Sequence, residues 1–419
     1  MQKIYYQCAF RQLAPLRIGT GSGEKTDNDI RKDSRGFPMI PGTSLAGVLR
    51  ALLPPKDADA VFGYLKTGDH AEIVSSAVLV GDAVLPAGTR QSDYRISERD
   101  GVGLTDHGTK KDHAKYDFEV VECDLPYTAI LELADEADEE TVVPRLERAL
   151  RLAQAEGLHF GARSTRGYGR VSVSVKKRSF EFPRQLDEWL DFDPLTGAYP
   201  DQLPNGPLPE RKRPIRVELT VKMRGSFSVR VYTTAIAREN EAAPDQIALE
   251  NRKGDAVLPG TSWAGSFRHH MRLLAQSSGL DEAVLKQIDA LFGVTGQVKK
   301  RSEIRFSEAE INTKKRLTIT RNAIDRFTNA PCNRALFTSR VAHSGEGNAT
   351  IELPTETDPK LLRLLAAAIN DLDLGLMTLG GEAGVGRGLC KVTALKVNGR
   401  DQTQSMKVLK TDYLLGGGV

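Results

Sequence analysis

The chain writes one phrase twice. MIPGTSLAGVLRALL, residues 39–53, and VLPGTSWAGSFRHHM, residues 257–271, share Pro-Gly-Thr-Ser-x-Ala-Gly-x-x-Arg, with the second proline 218 positions after the first. Aligned there, the register holds with small drifts over most of both halves. VFGYL at 61 meets LFGVT at 291, and SERDGVGLTDHG at 97 meets ITRNAIDRFTNA at 319. TAILEL at 128 meets ATIEL at 349, and LHFGARSTRGYGRVSV at 158 meets MTLGGEAGVGRGLCKV at 377. The landmarks keep one order, which internal duplication explains. Solenoid repeats are roughly 20–50 residues long, so a period of about 220 makes each copy a complete domain.

A chain of 419 residues is also too long for one ordinary core. The expected division is a first domain at 1–176, a linker at 177–212, a second domain at 213–397 and a tail at 398–419. The linker carries Pro, Gly and Asp, with one short ordered element around Trp189, and the tail ends in glycines and is expected to fray. RPIRVELTVKM alternates apolar and polar residues as a half-buried strand does; KIYYQCAFRQL is a rougher match. After each PGTS the spacing predicts a helix, with Thr43 or Ser44 as its cap and Leu45, Val48, Leu49 and Leu52 on one face. TAILELA and ATIELP read as strands, EETVVPRLERALRLAQAEG and DPKLLRLLAAAINDLD as helices, and YGRVSVSVKK and GLCKVTALKV as closing strands. Strand, helix, strands, helix, strand is the split βαβ order. The expected class is therefore α+β: two tandem ferredoxin-like (RRM-like) domains enlarged by inserted thumb and lid segments.

Charged residues make up 27% of the chain and no apolar run approaches the roughly 20 residues that span a bilayer, so no membrane is expected. Four scattered cysteines without a CxxC, and no signal-peptide pattern, fit a cytoplasmic protein. The net charge is only +3, but basic runs stand at 176–178, 211–213, 299–301 and 314–316. Nucleic-acid binding depends on where charge sits rather than on its sum.

LRIGTGSGEKT lacks the contiguous Gly-Lys-Ser/Thr of a phosphate-binding P-loop, since Glu24 intervenes. GARSTRGYGR is a better phosphate candidate. Its glycines admit close backbone approach, Arg163, Arg166 and Arg170 supply charge, and Tyr168 offers a stacking ring. The second copy, GGEAGVGRG, keeps the glycines but has Val385 in place of Arg166 and leaves Arg387 as its main charge. The helix starts place Thr43, Ser44, Thr261 and Ser262 where free N–H groups favour phosphate, with Arg50 and Arg268 trailing. Fourteen residues before each Pro of PGTS lies an aspartate, Asp27 and Asp245, a carboxylate able to bind a divalent ion or to position a ribose hydroxyl. His107, His113 and Cys123 lack standard zinc spacing, and no Ser-His-Asp arrangement or HExxH is present.

Jointly these landmarks resemble the RAMP superfamily of CRISPR proteins, and within it the "Cas seven" backbone subunits of type III effector complexes. The resemblance covers nearly all of both copies. It places Asp27, and less closely Asp245, on the family's RNA-cleaving aspartate. It makes TITRNAIDRFTNA a thumb segment with Arg321, Asn322, Asp325 and Arg326 beside the guide–target duplex; the first copy keeps Arg99 there and little else. Ala46 and Ala264 stand where members usually show a lysine. The implied function is antiviral defence: binding a guide RNA together with other RAMP-type subunits, and cutting the complementary target RNA at two sites with a transient Mg²⁺ or other divalent cation. The alternatives are a non-catalytic scaffold or capping subunit of the same complex, or a guide-processing endoribonuclease. No histidine recurs at matching positions, which disfavours the last.

Overall fold

A computed structural model describes residues 2–21, 26–66, 72–105, 110–122, 124–203, 208, 212–232, 244–294 and 299–415. They fall into two compact units. The first is Met1–Val102, Ala114–Ser164 and Tyr168–Arg211; the second is Gly103–His113, Thr165–Gly167 and Lys212–Val419.

The first unit is built on strand β1 (Gln2–Gln12), helices α1 (Gly42–Arg50) and α2 (Pro55–Phe62), strand β2 (Val78–Val80), an inserted hairpin of β3 (Ile96–Leu104) and β4 (Lys110–Val121), strand β5 (Pro126–Leu133), helix α3 (Glu139–Glu156), strand β6 (Arg170–Glu181), the short helix α4 (Leu186–Leu190) and strand β7 (Asp201–Gln202). The sheet runs β7-β6-β1-β5-β2, antiparallel throughout. Without the edge strand β7 and the inserted hairpin, this is the ferredoxin-like order, with β1 and β5 paired at the centre and the last strand β6 on the other side of β1. Tyr6, Cys8 and Phe10 of β1 join Leu45 and Leu49 of α1, Val61 of α2 and Leu146, Ala149 and Leu150 of α3 in one core. The opposite face of β1 is covered too, because Tyr5 packs with Phe180 and Tyr199. That explains the poor alternation of KIYYQCAFRQL: a strand buried on both faces need not alternate.

The second unit repeats the plan. Its elements are β8 (Ile215–Met223), β9 (Gln246–Ala248), α5 (Gly260–Ser277), α6 (Glu282–Phe292), β10 (Arg305–Phe306), a hairpin of β11 (Arg316–Ile324) and β12 (Pro331–His343), β13 (Glu346–Leu353), α7 (Pro359–Leu374), β14 (Cys390–Val397), β15 (Arg400–Asp401) and α8 (Thr403–Lys407). The sheet order β10-β13-β8-β14-β15 contains the same central arrangement. Here β8 alternates cleanly, with Ile215, Val217, Leu219, Val221 and Met223 all turned into the core.

The expected linker and tail are more structured than their composition suggests. β6 continues to Glu181, beyond the expected boundary at 176, and β7 pairs with it through Asp201 and Gln202. Trp189 Nε1 donates to the Tyr5 hydroxyl at 3.0 Å, and Phe192 packs tilted or edge-on against Tyr5, Phe180 and Tyr199. In the tail, Lys407 Nζ donates to both carboxylate oxygens of Asp373 at 2.8 Å. Tyr413 donates to the Ala366 carbonyl at 3.0 Å, and Leu414 is fully buried. Aromatic and apolar residues spaced among Pro, Gly and Asp hold both segments, each large ring contributing on the order of 1.5–3 kcal/mol when buried.

Candidate functional site

The two aspartates occupy one structural position in their respective units. The Asp27 N–H donates to Asp117 Oδ1 at 2.9 Å, and the Asp117 N–H donates back to Asp27 Oδ2 at 3.0 Å. The Asp245 N–H donates to the Thr338 carbonyl at 2.9 Å, and the Thr338 N–H donates to Asp245 Oδ2 at 2.8 Å. Asp117 and Thr338 both lie on the return strand of the inserted hairpin, β4 or β12. Each stands four residues before a matching bridge, Val121 with Leu16 and Ala342 with Phe227. The poor sequence match around Asp245 therefore hides a conserved geometry between the copies: a loop carboxylate whose Oδ2 is pinned by a strand amide. Asp27 is exposed and Asp245 half-buried, and the Oδ1 of each takes no hydrogen bond among the described residues. Asp29 steadies the first loop by accepting from the Thr26 N–H and hydroxyl at 3.0 and 2.9 Å. Asp117 was not singled out in the sequence; it sits inside KYDFEV and reads there as an ordinary strand residue.

The hairpin residues divide into buried and exposed. Arg99 is 3% exposed, paired with Glu122 at 3.3 Å and bonded to the Tyr168 hydroxyl at 3.3 Å. Tyr168 is itself 1% exposed, edge-on to Phe118. Neither side chain faces a ligand as the sequence suggests: Tyr168 is a core ring and Arg99 a buried ion-pair partner. Arg321 pairs with Glu382 at 2.8 Å, while Asn322 and Arg326 are exposed on the second hairpin. Asp325 organises the turn, its Oδ1 accepting from the N–H groups of Phe327 and Thr328 and from the Thr328 hydroxyl. These bonds, those from Thr328 foremost, hold its carboxyl below the usual range.

The glycine loops are equally mixed. Arg163 donates to the Tyr116 hydroxyl, and Arg170 opens β6, half-buried. Arg166 belongs to the second compact unit, where its guanidinium donates to the carbonyls of Phe292 and Ile304 and to the Ser302 hydroxyl. Arg387 is 3% exposed and pairs with Glu382. The sequence marks Arg166 and Arg387 as phosphate ligands; in the structure their terminal guanidinium nitrogens bond to protein acceptors.

The repeated phrase has a packing explanation. Pro41 and Pro259 are the helix caps, not Thr43 or Ser44. A Cβ on Gly42 would lie 2.2 Å from the Val80 carbonyl oxygen, and one on Gly260 would lie 2.5 Å from that of Phe306, so only glycine lets each helix start approach β2 or β10. The Gly42 N–H already donates to Asp82 Oδ1 at 2.7 Å. Arg50 pairs with Asp59 and donates to the Gly63 carbonyl at 2.6 Å; Arg268 pairs with Asp289 at 2.8 Å. Each repeat arginine thus clamps the helix that follows. Thr43 is exposed, and Ser44, Thr261 and Ser262 are half-buried.

Among the described residues no three His, Cys, Asp or Glu side chains group to hold a metal. His107 and Cys123 lie outside the described residues, as does the side chain of His113. A hydrated Mg²⁺ needs only one or two protein carboxylates when substrate phosphates complete its shell, and Asp27 with Asp117, or Asp245, fits that demand. No described helix is long and apolar enough to cross a membrane.

The RAMP superfamily model matches residues 10–172 and 197–391, one stretch in each copy. The chain belongs to the RAMP superfamily. As a RAMP protein with two such domains it is a CRISPR-associated RNA-binding subunit. A comparison with curated proteins finds no match.

Proposed function

We propose that this RAMP protein is a fused pair of backbone subunits of a type III CRISPR ribonucleoprotein, one that holds a guide RNA and cleaves the complementary target at two sites. The observation that carries the reading is the recurrence of one carboxylate geometry in both copies, despite different loop sequences. Sequence choice comes from base pairing, and the protein reads shape and backbone. Cleavage needs a nucleotide displaced from the A-form helix, so that its ribose 2′-hydroxyl can line up with the adjacent phosphate. The strand amide on Oδ2 fixes each carboxylate's direction, and among the described residues Oδ1 takes no hydrogen bond, which supports a role for it toward a ligand. Asp27 with Asp117, and Asp245, would hold a divalent cation. When bound, that ion supplies charge stabilisation at the cleaved phosphate.

The test is incubation of the assembled complex with end-labelled target RNA, with Mg²⁺ or with EDTA. Two Mg²⁺-dependent cuts are expected. A complex that binds the target and leaves it whole is a scaffold and contradicts the catalytic part. Metal-free cutting of guide precursor by the chain alone would make it a processing enzyme instead.

A further inference from the structure

Each copy closes its glycine loop with one non-glycine residue in the left-handed backbone region: Arg163 (φ 62°) in the first and Glu382 (φ 63°) in the second. The two positions correspond in detail. A Cβ on Gly161 would strike the Arg17 carbonyl oxygen, and one on Gly380 would strike that of Ser228. The next N–H donates to that same carbonyl, Ala162 to Arg17 at 2.9 Å and Gly381 to Ser228 at 2.8 Å. Arg17 and Arg163 of the first copy therefore stand where Ser228 and Glu382 stand in the second.

That exchange alters the chemistry. In the first copy two guanidinium groups share one aromatic ring: Arg17 lies 4.3 Å and Arg163 4.9 Å from the centroid of buried Phe118. Arg163 also lies 4.7 Å from the Tyr116 ring and donates to its hydroxyl. Neither arginine has a carboxylate partner among the described residues, and the buried Nε of Arg17 meets no acceptor there. Burial, and then the neighbouring Arg163 charge, lower the Arg17 pKa. Two half-buried like charges held together are costly unless an anion joins them. In the second copy the anion is built in. Glu382 takes Arg321 on one carboxylate oxygen and Arg387 on the other, and exposed Arg230 lies nearby.

We propose that Arg17 and Arg163 form a site for one phosphodiester group of an RNA strand, present in the first copy and replaced in the second by the Glu382 carboxylate. The aromatic platform holds both planar cations in place, so their donors are pre-organised for a phosphate. The site is tied to the cleavage loop through β4. Tyr116 and Phe118 support the arginines, and Asp117 between them binds Asp27 from the opposite face of the strand. This inference rests on the RNA-binding reading and adds that the two copies grip the strand unequally.

The test is binding of fluorescein-labelled poly(U) RNA to the full chain over a salt series. Arg17→Gln should weaken binding about tenfold, as loss of a charged hydrogen bond does. Arg163→Gly removes the second cation and relieves the left-handed backbone, so this variant should melt no lower than the parent and still bind more weakly. In the double variant, the slope of log K against log salt should flatten by about 0.7, the value of one single-strand phosphate contact. If Arg17→Gln unfolds, Arg163→Gly alone decides the matter. Parental affinity and slope in a folded Arg163→Gly or double variant overturn the site and leave RNA binding elsewhere intact. No RNA binding by the unaltered chain overturns both.

Discussion

Arg99 has the charge of an RNA contact and the surroundings of a core residue. Its pairing with Glu122, itself 2% exposed, means that Glu122→Gln strands a buried cation. That loss should cost about 3–5 kcal/mol, seen as a lowered Tm of the first unit, where an exposed pair would cost under about 1 kcal/mol; an unchanged Tm would place Arg99 in solvent. Cysteine reactivity tests burial independently. Burial pushes the Cys8 thiol up to about 12, and burial with the Asp373 charge does the same for Cys390. Below pH 10 both thiols should stay protonated and resist iodoacetamide until the protein unfolds, whereas half-buried Cys332 should react sooner. Peptide mapping after timed alkylation reads the order directly. A sequence shows that a position is charged; it does not show which carboxylate folds opposite. Hence Arg99, Arg166 and Arg387 read as ligands while Arg17, in plain PLRIG, went unnoticed.

Within the repeated helix the two glycines should behave oppositely. Gly42→Ala and Gly260→Ala push a methyl group into a strand carbonyl and should destabilise by about 1–3 kcal/mol. Gly47→Ala and Gly265→Ala meet open space on exposed helix positions and should stabilise by about 0.5–1 kcal/mol. Thermal melts of the four single variants check this, and uniform effects would reject the packing account of PGTS. The turn of the second hairpin should respond to acid. Because the folded pKa of Asp325 lies below its ordinary 3.8, its contribution is complete above that value and is lost as pH falls through the lower folded value. The amide resonances of Phe327 and Thr328 should shift over that range, and amides that ignore pH would mean that Asp325 does not hold the turn. Phe327, 96% exposed, shows that this tip buries no apolar surface of its own.

Over the whole molecule, duplication was the most legible fact. Landmarks in fixed order foretold two ferredoxin-like units, and the paired sheet orders agree. The segment after residue 176 and the tail were less legible, because widely spaced aromatics among Pro, Gly and Asp look like linker until Tyr5 or α7 supplies their partner. The equivalence of Asp245 with Asp27 was carried by a strand N–H that donates to the carboxylate Oδ2 in each copy, a bond that does not depend on the side chains of the surrounding loop. The difference between the copies, an arginine against a glutamate at one left-handed position, was written in the aligned loops and acquired meaning only beside Arg17 and Phe118. The most direct measurement is therefore site-resolved. The complex would be assembled with Asp27→Asn or Asp245→Asn, which keep an acceptor oxygen for the strand amide, and target cleavage mapped at nucleotide resolution. Each substitution should abolish one cut and spare the other, with target binding unchanged; both cuts persisting in the double variant would contradict the assignment.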